Sequence, residues 1–195
     1  MIGIFGGSFN PIHLGHTNLS EWLVCNGYVD KVWLMVSPQN PLKQQKHLLD
    51  ENLRLHLSKI AVENLSGVEV SDFEIRLPKP TYTYKTLSSL SATYPDEEFA
   101  LIIGSDNWQI FHKWAQWEYI LQHHRIIVYP RKGYEIDTHT LPENVQLVSA
   151  PLFPYSSTEV RKAIAERDHI CTSMLHPAVL SEIHRLGLYQ TIGIR

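Results

Sequence analysis

The sequence predicts an α/β fold: a doubly wound, mostly parallel sheet with a small helical part at the C-terminus. Two observations predict it. Short apolar runs of strand length recur along the chain, and amphipathic stretches of helical period separate them. Strands buried on both faces read as continuous apolar runs, and helices must then cover both faces of the sheet. The 195 residues suit one such core, so a single domain is expected over residues 1–195.

Residues 2–5 read as a buried strand, ended by Gly6 and Gly7. Asn18 and Glu21 have capping-box spacing and predict a helix start, with Leu19, Trp22 and Leu23 on its apolar face and Cys25 in the core beside it. Residues 32–36 form a second strand, stopped by Pro38. Leu53, Leu57, Ile60, Ala61 and Leu65 make a helical stripe, on which Arg54 is expected to be solvated. Residues 68–73 alternate like a strand, and residues 84–92 read as a helix. Residues 99–103 form another buried strand, and residues 108–121 are aromatic-rich and helical in pieces. Strands follow at 125–129 and 145–149. Ser156 and Glu159 form a capping box for a helix reaching about Arg167. The last helix carries Pro177 in its first turn, Val179, Ile183 and Leu186 on one face, and Gly187 at its end.

Composition removes several function classes. With 17 basic and 20 acidic residues the net charge is −3, so there is no broad positive field for long nucleic acids. No run reaches the roughly 18 apolar residues of a membrane helix, and the N-terminus lacks the layout of a secretory leader. Cys25 and Cys171 form neither a disulfide framework nor a Cys-x-x-Cys motif. A reduced, cytoplasmic setting is expected.

Doubly wound sheets bind ligands at the carboxyl ends of their strands, so the residues after each strand carry the chemistry. The first such string is Gly6-Gly7-Ser8-Phe9-Asn10-Pro11-Ile12-His13-Leu14-Gly15-His16. Its glycines allow close backbone approach to phosphate oxygens, and the helix that follows offers unpaired N–H groups and a positive dipole end. His13 and His16 lie three apart and are expected to face one spot. Donors aimed there stabilise a phosphate that gains charge in the transition state. The spacing lacks the Cys or His-Glu-x-x-His partners of common zinc sites, and no metal site is expected. It also lacks the Gly-x-Gly-x-x-Gly fingerprint of dinucleotide enzymes. The second string, Tyr155-Ser156-Ser157-Thr158-Glu159-Val160-Arg161, opens a helix with three hydroxyls and places a guanidinium one turn on. It reads either as ordinary capping or as a phosphate clamp.

Together the two strings resemble the His-x-Gly-His and Ser-Ser-Thr-x-x-Arg signatures of the nucleotidyltransferase superfamily. The middle of the chain resembles bacterial nicotinate-nucleotide adenylyltransferases. Pro80-Thr81-Tyr82-Thr83-Tyr84-Lys85-Thr86-Leu87 is similar to their Pro-Ser-Tyr-Thr-x-x-Thr-Leu segment, and Gly104-Ser105-Asp106-Asn107 with Trp114 to their Gly-x-Asp and Trp segment. Arg131-Lys132-Gly133 stands where they have Arg-Pro-Gly, and Asn40-Pro41-Leu42-Lys43 where Pro-Pro-His-Lys is common.

The resemblance implies a Rossmann-like nucleotidyltransferase fold that joins nicotinate mononucleotide and ATP, giving nicotinate adenine dinucleotide and pyrophosphate in NAD synthesis. It implies that His13 and His16 contact ATP phosphates and that Gly6, Gly7 and Ser8 border the reacting phosphate. Lys43 and Arg131 would neutralise charge, Arg54 is offered as a further phosphate contact, and Asp106 would meet the sugar or orient the site. Ser156, Ser157 and Arg161 would hold the triphosphate. Thr83 would meet the nicotinate carboxylate and Trp114 would stack on the pyridine ring. Mg²⁺ would ride mainly on the substrate phosphates. A homo-oligomer is compatible with this reading. The residues themselves leave alternatives open: Trp114 stands among Trp108, Phe111 and Trp117 and suits a core equally well, Asp106 could cap a helix, and Lys43 and Arg131 could be surface charges. Rival acceptors are nicotinamide mononucleotide and phosphopantetheine. A non-catalytic nucleotide-binding module is the rival of another class.

Overall fold

The computed structural model describes residues 1–38 and 48–190. Six parallel strands form one sheet: β1 (Ile2–Gly7), β2 (Lys31–Val36), β3 (Val68–Ser71), β4 (Phe99–Gly104), β5 (Arg125–Tyr129) and β6 (Val145–Leu147). Their spatial order is β3-β2-β1-β4-β5-β6. The chain winds outward from β1 in one direction, then restarts at β4 on the other side of β1. This reversal opens a crevice between the carboxyl ends of β1 and β4, where doubly wound sheets bind ligands.

Alternation within the strands divides the core. Phe5, Val32, Leu34, Ile102 and Ile127 face one apolar cluster, and Ile2, Ile4, Met35, Leu101 and Ile126 face the other. The first cluster is closed by α1 (Leu14–Cys25), α2 (Glu51–Val62), α6 (Ser157–Ala165) and α7 (Pro177–Arg185). The second is closed by α3 (Thr83–Thr93) and α5 (Trp117–His123), with α4 (Ser105–Gln109) and a 3₁₀ turn at Phe111–Lys113. Leu23, Leu57 and Ile183 are fully buried, each contributing about 1.5–3 kcal/mol of apolar transfer.

Strand and helix identities follow the sequence reading, with shifts at the ends. Leu65 lies beyond α2, Phe73 sits in a 3₁₀ turn after β3, Ser149 lies beyond β6, and α6 stops at Ala165. Three expectations are corrected. The first helix does not start after Asn18. It begins at Leu14, because His13 and His16 form a local capping box, with the His13 N–H reaching His16 Nδ1 at 3.3 Å, and the Leu14 N–H finds a tertiary partner in Met174 O at 2.9 Å. Cys25 is exposed, since it falls off the stripe set by Leu19 and Leu23. Arg54, expected on the solvated side of α2, is fully buried. It shares the face of Leu57, Ser58 and Ala61, which lie three, four and seven residues on. None of the helices among the described residues is long and apolar enough to cross a membrane.

Candidate active site

The crevice floor is glycine. A Cβ on Gly6 would meet nothing within 4 Å, so the backbone is open to a ligand there. Across the crevice, a Cβ on Gly104 would lie 2.3 Å from Asp106 Oδ1 and 3.1 Å from Arg131 Cγ. Only glycine lets those two side chains close over the end of β4.

The histidine pair stands at the start of α1. The two rings stack, with centroids 3.7 Å apart and planes at 26°. Phe9, held at φ 43°, turns its ring edge onto His16 at 4.9 Å, and Phe5 lies 5.9 Å from the same ring. Because His16 Nδ1 accepts from the His13 N–H, its neutral ring carries the proton on Nε2 and donates from there. Burial, followed by the charge of Arg131, pushes His13 down to about 3. Burial, followed by the charges of His13 and Arg131, holds His16 well below its ordinary value. Both imidazoles are therefore neutral donors at physiological pH. His13 Nδ1 is buried without a hydrogen-bond partner, so this centre has polar capacity to spare.

These depressed values predict acid sensitivity. In the unfolded chain His13 takes up a proton near 6.5, whereas in the native state it resists one down to about 3. The unfolded state thus binds more protons between those limits. Its contribution to stability is complete above pH 6.5 and falls by up to about 1.4 kcal/mol per pH unit below it. Melting temperatures from pH 7 to pH 4.5 should fall more steeply for the wild type than for His13→Gln. Parallel slopes would show that His13 does not carry the effect.

The second loop reaches the first directly. Ser156 caps α6, accepting the Glu159 N–H at 3.2 Å while its own hydroxyl donates to Glu159 Oε2 at 2.7 Å. The Ser157 hydroxyl donates to Pro11 O at 2.9 Å. Arg161 donates through Nη1 to Asn10 O at 2.7 Å and through Nη2 to Thr158 Oγ1 at 3.3 Å. The Tyr155 ring lies 6.4 Å from that of His13. Segments about 150 residues apart in sequence thus form one wall.

Opposite them, Arg131 Nε approaches Asp106 Oδ1 at 3.8 Å, and the Arg131 N–H donates to Ser105 Oγ at 2.9 Å. Its guanidinium lies 5.6 Å from the centre of the Tyr129 ring. Gly104 is the N-cap of α4, and Asp106 lies in its first turn, where it pairs with Arg131. The charge of Arg131 reaches both imidazoles, so Gly6, Gly7, His13, His16, Asp106, Arg131, Ser157 and Arg161 gather at one crevice, whereas Ser8 bonds Arg54 through its carbonyl and Ser156 caps α6. Lys43 lies outside the described residues.

Thr83 opens α3 after Tyr82, whose carbonyl accepts the Lys85 and Thr86 N–H groups at 2.9 and 3.1 Å, leaving the Thr83 and Tyr84 N–H groups at the helix start without an intrahelical acceptor. Trp114 packs on Phe111 at 5.4 Å between centroids and is half-buried, and its Nε1 is buried without a partner. Tyr84 and Trp114 pack against the same apolar cluster. Trp108 and Trp117 instead line a separate surface hollow with Phe111, Glu135 and Ile136.

Asn10 had no role in the sequence reading, yet it is a hub. Its carbonyl accepts from Arg161, and its side-chain oxygen accepts from the Leu49 N–H at 3.3 Å and the Tyr189 hydroxyl at 2.8 Å. No local signal shows this, because all three partners are distant in sequence.

A family model described as cytidylyltransferase-like matches residues 4–163. A Bacteroides fragilis protein named "Probable nicotinate-nucleotide adenylyltransferase" is 48% identical over 181 residues, covering 93% of this chain and 90% of that protein. A Flavobacterium psychrophilum protein of the same name is 40% identical over 191 residues, covering 97% of this chain and 98% of that one. A solved Plasmodium falciparum nicotinic acid mononucleotide adenylyltransferase, complexed with NaAD, superposes with a TM-score of 0.83 at 22% identity, covering 97% of each chain. This last likeness is one of fold.

Proposed function

Since the chain belongs to the nicotinate-nucleotide adenylyltransferase family, within the cytidylyltransferase-like group, we infer that it joins nicotinate mononucleotide to the AMP part of ATP in NAD biosynthesis. The observation that carries the chemistry is the meeting of the two loops, in which Ser157 and Arg161 bond the backbone of the string that ends in His13 and His16.

The reaction needs little from the protein beyond position and charge. The 5′-phosphate of the acceptor is already a nucleophile near neutral pH. Its oxygen attacks the α-phosphorus of ATP in line, a new P–O bond forms, and the α–β bridging bond breaks to release pyrophosphate. The Gly6-Gly7 backbone admits the reacting phosphate, with Ser8 at its border. His16 Nε2–H donates to the oxygens that gain charge, with the His13 imidazole stacked beside it. Ser156, Ser157 and Arg161 hold the triphosphate, and Arg131 faces it from the opposite wall. Asp106 keeps Arg131 oriented and meets the nucleotide sugar. Lys43 belongs to the same charge-neutralising set through its family position. The anionic substrate opposes the burial that holds both imidazoles neutral, because an opposite charge favours the protonated form.

Mg²⁺ would arrive with ATP, held mainly by the substrate phosphates and water, and would neutralise part of the triphosphate charge. Among the described residues no group of three His, Cys, Asp or Glu side chains could hold a metal. The Thr83 and Tyr84 amides at the start of α3 suit the nicotinate carboxylate, and Trp114 offers a face to the pyridine ring. A cytoplasmic setting fits the ATP substrate and the two free thiols.

The assay that tests this offers the pure protein MgATP with either nicotinate mononucleotide or nicotinamide mononucleotide and identifies each product by mass. A site built to bond the carboxylate leaves its donors badly paired against the amide. kcat/KM should therefore favour the acid on the order of 10²-fold or more. Equal use of both acceptors would remove Thr83 and its amides as carboxylate readers.

A further inference from the structure

Two buried charged side chains take no part in the reaction just described. Arg54 is fully buried and Glu74 is 8% exposed. Burying a charge is costly unless its hydrogen-bonding capacity is met. Arg54 meets it with backbone carbonyls: Nε donates to Leu49 O at 2.9 Å, Nη1 to Ser8 O at 2.6 Å and Ser37 O at 2.8 Å, and Nη2 to Pro38 O at 2.9 Å. One rigid fork thus fixes the phosphate loop at Ser8, the end of the β2 segment and the approach to α2.

Glu74 sits in the 3₁₀ turn after β3 and accepts the Ser37 hydroxyl at Oε2, 3.2 Å away. Burial raises its pKa, and the hydroxyls of Thr81 and Ser37 oppose that rise. The Thr81 hydroxyl is itself buried, lies near enough to Glu74 to favour its charged form, and has no hydrogen-bond partner among the described residues. Ser37 therefore serves two charges at once, Arg54 through its carbonyl and Glu74 through its hydroxyl. A hydrogen-bonded path runs Ser8–Arg54–Ser37–Glu74, and the buried Thr81 hydroxyl stands beside its far end. The path begins beside the reacting phosphate of ATP, and Thr81 lies two residues before Thr83.

We propose that Arg54 and Glu74 are paired positioning residues, joined through Ser37, that set the register between the phosphate loop at Ser8 and the acceptor-binding segment at residues 81–83. The substrates named at the two ends rest on the function inferred above, whereas the mechanical link does not. In-line transfer tolerates little misplacement between nucleophile and α-phosphorus, so the spacing of the two subsites is itself catalytic capital. Lysine cannot reproduce the fork of Arg54, and glutamine removes both the charge and one of the two acceptor oxygens that Glu74 offers to the Ser37 and Thr81 hydroxyls.

The test is amide hydrogen exchange on the ligand-free protein, followed by steady-state kinetics, for Arg54→Lys and Glu74→Gln. Arg54→Lys should raise exchange at residues 81–83 as well as near Ser8. Glu74→Gln should raise exchange near Ser8 as well as at 81–83, since coupling is reciprocal. Helix α5 should be unchanged in both. Each variant should raise KM for both substrates about 3- to 10-fold, and the double variant should fall short of the product of the singles. If each variant disturbs only its own neighbours and its own substrate, and the double multiplies, the pairing is wrong. If Arg54→Lys fails to fold, Ser37→Ala decides the question. It keeps the carbonyl and loses the hydroxyl, so it should loosen residues 81–83, and unchanged exchange there overturns the link. Should the wild type form no dinucleotide, the substrate assignment fails while the exchange result still judges the coupling.

Discussion

Replacing His16 with alanine should cut kcat by about 10²–10³-fold, the range seen when one preorganised donor to a developing charge is removed. The ring is held for that task. It stacks on His13 at 3.7 Å, meets the Phe9 edge at 4.9 Å, and has its Nδ1 occupied by the His13 N–H, leaving Nε2–H as the donor. An interaction made mainly in the transition state lowers kcat and kcat/KM together and leaves the KM for ATP nearly unchanged. Single-turnover rates and a melting curve separate loss of chemistry from loss of fold. Truncation removes packing against Phe5 and Phe9, so a modest fall in melting temperature is expected. Turnover within about threefold of wild type would take the imidazole out of the chemistry.

Arg161→Ala should have the other kinetic signature, a drop of about 10- to 100-fold in kcat/KM for ATP carried mostly by KM. This is the range for a charge-assisted bond worth about 1.5–3 kcal/mol. The guanidinium donates through Nη1 to Asn10 O and through Nη2 to Thr158 Oγ1, and its remaining N–H groups are left for phosphate. The comparison with Arg161→Lys is informative. A lysine could reach the Asn10 carbonyl but could not also present a planar pair of donors to phosphate. If Arg161 is only a strut, Lys should restore ATP affinity and Ala should act mainly on melting temperature. If it clamps phosphate, Lys should recover only part of the ATP affinity.

Much of the fold was legible because strand length, apolar continuity and turn residues are local properties. The strand at Arg125–Tyr129 was read with its bounds unchanged, and the Ser156 cap is present in the structure. The misread first helix shows where local reading stops. Asn18 and Glu21 have good capping spacing, yet α1 starts earlier because His13 and His16 form a capping box of the same spacing, which the Leu14 N–H backs by bonding the distant Met174 carbonyl. Arg54 carried a usable signal, three residues before Leu57 on the apolar stripe, but the general habit of arginine to lie at the surface outweighed it. Glu74 and Asn10 carried none, since each acts through partners supplied by other parts of the chain.

By itself the sequence determined the alternation of strand and helix, the chemical inventory of imidazoles, hydroxyls and guanidinium, and the family, because these depend on residue type and short spacing. The tertiary structure alone decided the strand order that puts β1 beside β4, the neutral state of the histidine pair, and the burial of Arg54 beneath Ser8. Each of these depends on which distant groups exclude water from a side chain, and solvent exclusion is a property of the packed chain that no local pattern encodes.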